Sequence, residues 1–299
     1  MRSARVLLNG IVDYAGLFPP ASLDMERALR AYADYLSGPY SELLGKFIVP
    51  VSRLDELSEV GSSMFSRDGD PSWRISVIVG SSLAAARVAA RDFNARHRNG
   101  SVDGNAVCDA FEAVAADAEA VREALREIPV FFELYLEVPA AVDPAPAIKA
   151  MSGTRAAAKI RTGGVTRESI PSSSQVLRFM RECHNHGVPF KATAGLHHAV
   201  GAEYPLTYET DSPRGEMFGY LNVFVGAAAI EAGWDDASVV EILESRDPAA
   251  FRFDADGVSV NGRKIEAPIL AGTRERFALS FGSCSFTEPV DEARALSLL

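Results

Sequence analysis

Eight short apolar segments, mostly separated by stretches with helical spacing, constrain the fold of this 299-residue chain more than any other feature. The segments are centred near residues 12, 48, 77, 109, 133, 159, 191 and 281. Alternation of strands with helices implies that the strands pair in parallel, and eight such units imply closure into a barrel. The sequence therefore predicts an α/β fold, a single (β/α)8 TIM barrel over residues 1–299, with a doubly wound open sheet as the alternative.

One interval is too long for a single crossover helix. Roughly 85 residues separate the segments near 191 and 281, where one helix and its loops need about 25. The interval contains two helical stretches, at 221–232 and 237–244, and two tight-turn dipeptides, Asp256-Gly257 and Asn261-Gly262. We expect residues 200–275 to form an α+β insertion between strands seven and eight, built as helices and a small β-meander at the barrel mouth. It would serve as a lid, as a contact in a homo-oligomer, or only as a packing appendage.

The composition limits the partners and the compartment. Acidic residues outnumber basic residues by 40 to 30, and the net charge of −10 disfavours binding to nucleic acid or to an anionic membrane surface. Cys108, Cys183 and Cys284 lie far apart, which favours free thiols in a reducing compartment. The first ten residues lack the apolar run of a signal peptide, and the longest apolar stretch, 221–230, is too short to cross a bilayer. We therefore expect a cytoplasmic protein.

Charged residues inside the predicted strands are the exceptions that point to function, because strands of a parallel barrel should read as nearly continuous apolar runs. Period-two alternation groups them by strand face as Glu133, Tyr135 and Glu137, then Lys159 and Arg161, then Lys191 and Thr193. If these faces point inward, they form a charged pocket at the end of the barrel where active sites lie. The alternative is a neutralised structural network of carboxylates against basic groups.

Two lysines on neighbouring strands have a specific chemical use. An unprotonated lysine amine attacks a carbonyl and forms a Schiff base, whose iminium withdraws electrons while a carbon–carbon bond breaks or forms. Lowering the pKa of a lysine to near neutrality takes on the order of 4.6 kcal/mol, and burial beside another cation can supply it. A nearby carboxylate or a water must then carry the protons. This chemistry needs neither a metal nor another cofactor.

Five segments, in the same order along the chain, resemble strands of the deoxyribose-phosphate aldolases and related class I barrel aldolases. Residues 158–163 and 190–195 are similar to the two lysine-bearing strands of that family, and the lysines lie 191 − 159 = 32 residues apart. Residues 11–17 resemble its opening strand, 107–110 the strand with its catalytic aspartate, and 281–285 its final strand and phosphate loop. The resemblance covers most of the chain outside the insertion and implies a Schiff-base lyase.

The resemblance assigns roles to individual residues. Lys159 matches the Schiff-base lysine, and Lys191 matches the second lysine that lowers its pKa. Asp109 matches the proton-relay aspartate, with Glu133 or Glu137 as other candidate proton carriers. Gly282 and Ser283 match the backbone contacts to a phosphate, which a loop and a helix N-terminus can hold through their N–H groups.

The chain also departs from the family pattern. Arg161 replaces a small serine, so we expect a different anionic carbonyl substrate, phosphorylated or carrying a carboxylate that Arg161 would bind. His197 and His198 follow the second lysine strand and replace the region after the family's pair of glycines. The further substrate contacts that we expect are Asp13, Thr193 and His197.

Two other classes of function remain open. The first is a metal-dependent barrel lyase or hydrolase, in which His197 or His198 would bind a metal together with Glu133, Glu137 or Asp13. The second is a non-catalytic barrel that binds a ligand or a partner, because barrels host many functions.

Overall fold

The computed structural model describes residues 2–67, 72–98 and 100–299. In chain order the strands are β1 (Val12–Tyr14), β2 (Leu44–Pro50), β3 (Trp73–Ile78), β4 (Ala106–Val114), β5 (Glu133–Glu137), β6 (Ala156–Arg161), β7 (Phe190–Thr193), β8 (Ala202–Pro205), β9 (Arg214–Met217), β10 (Arg252–Phe253), β11 (Gly257–Val260), β12 (Arg263–Glu266) and β13 (Ala278–Ser283). Strands β1–β7 and β13 form a closed barrel, in the order β1-β13-β7-β6-β5-β4-β3-β2, and each pairs with its neighbours in parallel. The predicted (β/α)8 barrel is confirmed, and the open-sheet alternative is wrong.

Helices separate the barrel strands. They are α1 (Arg2–Leu8), α2 (Met25–Ser37), α3 (Leu54–Gly61), α4 (Leu83–Arg96), α5 (Ala118–Glu127), α6 (Ala145–Met151), α7 (Ser173–Asn185), α8 (Tyr220–Glu231), α9 (Asp236–Glu244), α10 (Ala267–Arg276) and α11 (Thr287–Ala295). Single 3-10 turns lie at Ser41–Leu43, Val51–Arg53, Arg167–Ser169 and Pro248–Ala250. Several helices begin where a short polar side chain accepts a hydrogen bond from the first-turn backbone, which supplies one of the partners that a helix start lacks. These capping residues are Asp24, Ser82, Asp117, Ser172 and Asp235.

The chain between β7 and β13 contains a hairpin, helices and a small sheet. Strands β8 and β9 pair antiparallel, and so do β10–β12, in which Asn261 and Gly262 form a turn with positive φ. Helix α8 is buried along 220–230, because the ring of Phe224 packs on Phe281 of the barrel while α9 and α10 cover other sides. A helix that is apolar all round requires such burial.

Among the described residues of this segment, only those of its first part reach the barrel mouth. The cavity there is lined by 205–209 and by Met217, all from the β8–β9 hairpin. Strand β11 instead packs against α1, where the Ser3 hydroxyl donates a hydrogen bond to the carbonyl of Gly257. The hairpin, rather than the helices or the three-stranded sheet, therefore covers the mouth. No helix in the described ranges is both long enough and apolar enough to cross a membrane.

The parallel register brings the charged residues of three strands side by side. Glu137 of β5 is the register partner of Lys159 of β6, and Lys159 is the partner of Lys191 of β7. Residues that are paired in register lie beside each other on adjacent strands. The three side chains therefore start from adjacent points of the barrel wall.

An irregularity between β3 and β4 decides which residues of β4 face inward. Ile75 pairs with Cys108 and the next residue, Ser76, pairs with Ala110, so Asp109 is the extra residue of a β-bulge. A bulge shifts the alternation of the residues that follow it. After Asp109 the inward positions of β4 therefore fall on even-numbered residues.

Candidate active site

A cavity of about 720 Å³ opens at the carboxyl ends of the barrel strands, the end at which barrel active sites lie. The candidates that line it are Lys159, Arg161, Thr193, His197 and Gly282. The candidates outside this lining are Asp13, Asp109, Glu133, Lys191 and Ser283. A ligand in the cavity can therefore reach the first group of candidates, whereas the second group can act on it only through another residue.

Lys191 is fully buried behind the cavity and reaches across the barrel interior. Its Nζ lies 2.6 Å from Asp13 Oδ2 and 2.7 Å from Glu112 Oε1, although neither β1 nor β4 is a neighbour of β7 in the barrel. Asp13 also accepts hydrogen bonds from the Ser280 hydroxyl and from the backbone N–H of Lys46. Lys191 is therefore held at a fixed position by two carboxylates.

Lys159 occupies the floor of the cavity, and 4% of the residue is exposed. Its Nζ lies 2.8 Å from Glu112 Oε2 and 2.9 Å from Glu137 Oε2. Glu137 Oε1 lies 3.6 Å from Nε of Arg161, whose half-exposed side chain stands at the rim. Three carboxylates and three basic groups thus alternate in one chain of contacts, which runs Asp13, Lys191, Glu112, Lys159, Glu137, Arg161.

The two innermost groups of this chain stay ionised across the neutral pH range. Burial raises the pKa of Glu112, but the charges of Lys159 and Lys191 outweigh it and hold that pKa well below its ordinary value. Burial lowers the pKa of Lys191, but Asp13 and Glu112 outweigh it and hold that pKa well above its ordinary value. Glu112 therefore stabilises the fold until the pH falls through its lowered pKa, and Lys191 does so until the pH rises through its raised pKa.

Asp109 and Glu133 belong to a different cluster, at the amino-terminal end of the barrel. Asp109 Oδ2 lies 2.5 Å from Arg74 Nε, and Glu133 contacts both Arg74, at 2.7 Å, and Lys46, at 2.9 Å. Glu133 is the first residue of β5, so it lies at the opposite end of that strand from the cavity. Glu112, three residues further along β4, occupies the place beside the two lysines that was expected for Asp109.

The segment that resembles a phosphate loop is already engaged by the protein. Gly282 lines the cavity, but the Ser283 hydroxyl is buried and accepts a hydrogen bond from the backbone N–H of Ser285. The hydroxyl of Ser285 accepts a hydrogen bond from the backbone N–H of Glu288, in the first turn of α11. The carboxylate of Glu288 stands where the positive end of the helix would attract an anion. This arrangement disfavours a phosphate at that position.

The adjacent histidines face different carboxylates of α11. His197 Nδ1 lies 3.1 Å from Glu288 Oε2, whereas His198 Nδ1 lies 2.5 Å from Glu292 Oε1 and its ring stacks on Tyr204. In the part of the chain that the structure describes, no three side chains of the metal-ligating types stand together as a metal ion would require. Each histidine is therefore held by its own carboxylate of α11.

The pH dependence of stability is expected to report on His197. Burial lowers the pKa of His197, but its hydrogen bonds with Cys284 and Glu288 outweigh it and raise that pKa to about 9. A group whose pKa is raised by folding stabilises the fold fully at pH values below its pKa in the unfolded state. This contribution is lost as the pH rises through its pKa in the folded state. In urea denaturation, the free energy of unfolding of the wild type should exceed that of His197→Asn by a margin about 3 kcal/mol larger at pH 6 than at pH 10. A difference that increases with pH would contradict this assignment.

The small number of lysines is a feature of the sequence that could have indicated this site. The chain contains 30 basic residues but only five lysines, and three of them, Lys46, Lys159 and Lys191, are buried inside the barrel. The other two, Lys149 and Lys264, lie at exposed positions. Arginine stays charged whereas lysine can lose its proton when buried. Concentration of the few lysines in the barrel therefore points to this interior.

Fold and cavity together define a (β/α)8 barrel with an ionised interior that reaches a cavity at its carboxyl-terminal end. No protein-family model and no curated protein sequence matches the chain.

Proposed function

We propose that the protein is a Schiff-base lyase of the class I aldolase type, acting on a small anionic carbonyl compound. The observation that carries the proposal is the position of the Lys159 amine. It lies on the cavity floor between Glu112 and Glu137, and Glu112 is shared with the fully buried Lys191. Lys159 is the nucleophile because it lines the cavity, whereas Lys191 lies behind it.

The charges around Lys159 suit an iminium as well as an ammonium ion. The amine adds to the carbonyl carbon, a water molecule leaves, and the iminium nitrogen carries the positive charge where the ammonium carried it before. Glu112 and Glu137 face that nitrogen from two sides, so their preorganised charges stabilise the cation without rearrangement. The iminium then takes up the electron pair of the breaking carbon–carbon bond.

Glu137 is the carboxylate best placed to move protons. It lines the cavity and lies 2.9 Å from the Lys159 amine, whereas Glu112 is fully buried and contacts both lysines. Glu137 takes the proton that Lys159 gives up before attack, returns it to the oxygen that leaves as water, and later accepts the proton of a substrate hydroxyl group. Glu112 and Lys191 position the nucleophile and do not touch the substrate.

The anionic group of the substrate is expected to be a carboxylate bound by Arg161. The guanidinium group stands at the cavity rim with about half of its side chain exposed, and it can bind a carboxylate through two parallel hydrogen bonds. The position that would hold a phosphate by resemblance carries Glu288 instead. A keto acid or an aldehyde acid therefore fits the cavity better than a sugar phosphate.

Borohydride trapping tests the proposal. The protein is incubated with a panel of small aldehydes, keto acids and sugar phosphates, reduced, and examined by intact mass and peptide mapping of its five lysines. We expect a reduced adduct on Lys159 with a keto or aldehyde acid, and its loss in Lys159→Met. Lys149→Met, a change at an exposed lysine, is the matched control and should keep the adduct.

Two results would contradict the proposal. An adduct on Lys191 that persists in Lys159→Met would exchange the roles of the two lysines. An absence of adducts across the panel, together with one tightly bound metal ion per chain in the same sample, would favour metal chemistry in this cavity.

A further inference from the structure

A second group of reactive side chains lines the same cavity, on the side away from Glu137. Cys284 Sγ lies 3.9 Å from His197 Nε2 and 4.0 Å from its Nδ1, and Nδ1 also lies 3.1 Å from Glu288 Oε2. A thiol, an imidazole and a carboxylate therefore stand together, as in sites that activate a cysteine nucleophile, with the carboxylate holding the ring beside the sulfur. All three side chains are lining residues of the cavity.

The hairpin at the mouth completes this cluster. The Tyr208 hydroxyl, from the loop between β8 and β9, donates a hydrogen bond to Glu288 Oε2 and lies 3.8 Å from Cys284 Sγ. The other ionisable groups that interact with the cluster are Tyr14 of β1 and His198.

Cys284 differs from the other cysteines of the chain. Cys108 and Cys183 are completely buried, and neither lines the cavity. Cys284 keeps 6% of its surface exposed, toward the cavity, and has an imidazole within contact distance. A thiol in such surroundings is one that reagents can reach and that a neighbouring base can ionise.

We propose that Cys284 is a second nucleophile of the cavity, which is activated by His197 and Glu288 and adds reversibly to small aldehydes. The thiol gives its proton to His197, the sulfur forms a bond to the carbonyl carbon, the carbon–oxygen double bond becomes a single bond, and the imidazolium of His197 gives that proton to the oxygen. The product is a thiohemiacetal, so the step needs no oxidant, reductant or leaving group. The raised pKa of His197, about 9, supplies an imidazolium at neutral pH, and the carboxylate of Glu288 stabilises it.

Alkylation by iodoacetamide measures the reactivity of the thiol. The sulfur displaces iodide from the reagent, and peptide mapping of the native protein then separates the three cysteines. At pH 7 we expect Cys284 to react about tenfold or more faster than Cys108 and Cys183. His197→Asn should lower the rate at Cys284 by about tenfold at pH 7 and much less at pH 10, where hydroxide can take the thiol proton in place of the imidazole. His184→Asn, at a partly exposed histidine paired with Glu231, is the matched control and should leave the rate unchanged.

Protection by glycolaldehyde tests the class of ligand. The measurement uses Lys159→Met, so that a Schiff base on that lysine cannot block the cavity. We expect glycolaldehyde to slow alkylation of Cys284 in proportion to its concentration, and dialysis to restore the rate. Because this readout is the thiol and borohydride trapping reads the amine, either proposal can fail while the other stands.

Several outcomes would overturn the inference. Alkylation of Cys284 no faster than that of the two buried cysteines would show that its thiol is not activated. An unchanged rate of alkylation in His197→Asn would show that the imidazole does not activate the thiol. If that variant does not fold, Glu288→Gln and the pH–rate profile of the wild type decide, and a profile that rises only near pH 8.5, as for a free thiol, counts against activation. Absence of protection by glycolaldehyde would exclude the carbonyl ligand.

Discussion

Replacement of Lys191 by methionine is expected to lower the free energy of unfolding by about 3–5 kcal/mol at pH 7. Methionine is close to lysine in length and volume, so the packing around the side chain is largely kept. The charge is lost, however, and leaves the carboxylates of Asp13 and Glu112 buried with one cation fewer. Removal of one partner from a buried ion pair is costly because the remaining charge has no water to solvate it.

A double variant separates this effect from a change in packing. Lys191→Met combined with Glu112→Gln removes one cation and one carboxylate together, so its destabilisation should be smaller than the sum of the two single changes. Lys149→Met, at an exposed position, should stay within about 0.5 kcal/mol of the wild type. Denaturation in urea at pH 7 gives all four values. A loss below about 1 kcal/mol for Lys191→Met would show that the network contributes little to stability.

The barrel could be predicted because its strands are apolar on both faces except at the positions of charged, functional side chains. Strands of a parallel barrel pack against helices outside and against each other inside, so the interruptions in their apolar pattern mark the interior. Alternation along β6 correctly placed Lys159 and Arg161 on one face, and both line the cavity. The same reasoning placed Lys191 beside Lys159, as their shared register shows.

Sequence alternation did not locate the carboxylate between the lysines, because a bulge interrupts it. Asp109 and Glu112 are three residues apart, so a regular strand would put them on opposite faces. The bulge at Asp109 lets both point inward at different heights, Asp109 toward Arg74 and Glu112 toward the lysines. Nothing in the local residue types signals a bulge of this kind.

Height along the strand is the second property that the sequence leaves open. Glu133 and Glu137 share a face of β5, yet Glu133 lies at its amino end and Glu137 at its carboxyl end. Only Glu137 therefore lines the cavity. The contact between Cys284 and His197 joins residues 87 positions apart, which spacing alone could not bring together.

A substitution of Gly195 by alanine is expected to destabilise the barrel mouth by about 3 kcal/mol. Gly195 has φ of +80°, and a Cβ placed there would lie 2.8 Å from Cα of Gly163 at the end of the neighbouring strand. The left-handed conformation alone costs about 1 kcal/mol for alanine, and the backbone overlap adds about 2 kcal/mol, because neither chain can yield freely. The approach of these two glycines brings the ends of β6 and β7 together, directly after Arg161 and Thr193.

Gly187→Ala separates the two causes. Gly187 also has a positive φ, of +61°, but a Cβ there would meet nothing within 4 Å, so this variant should lose only about 1 kcal/mol. Since Lys159 and Arg161 stand on the strand that directly precedes Gly163, Gly195→Ala should also reduce the yield of the borohydride adduct at temperatures where the variant is still folded. Equal losses of stability in the two glycine variants would show that the close approach of β6 and β7 tolerates a methyl group. That result would contradict the inference that this approach positions Lys159.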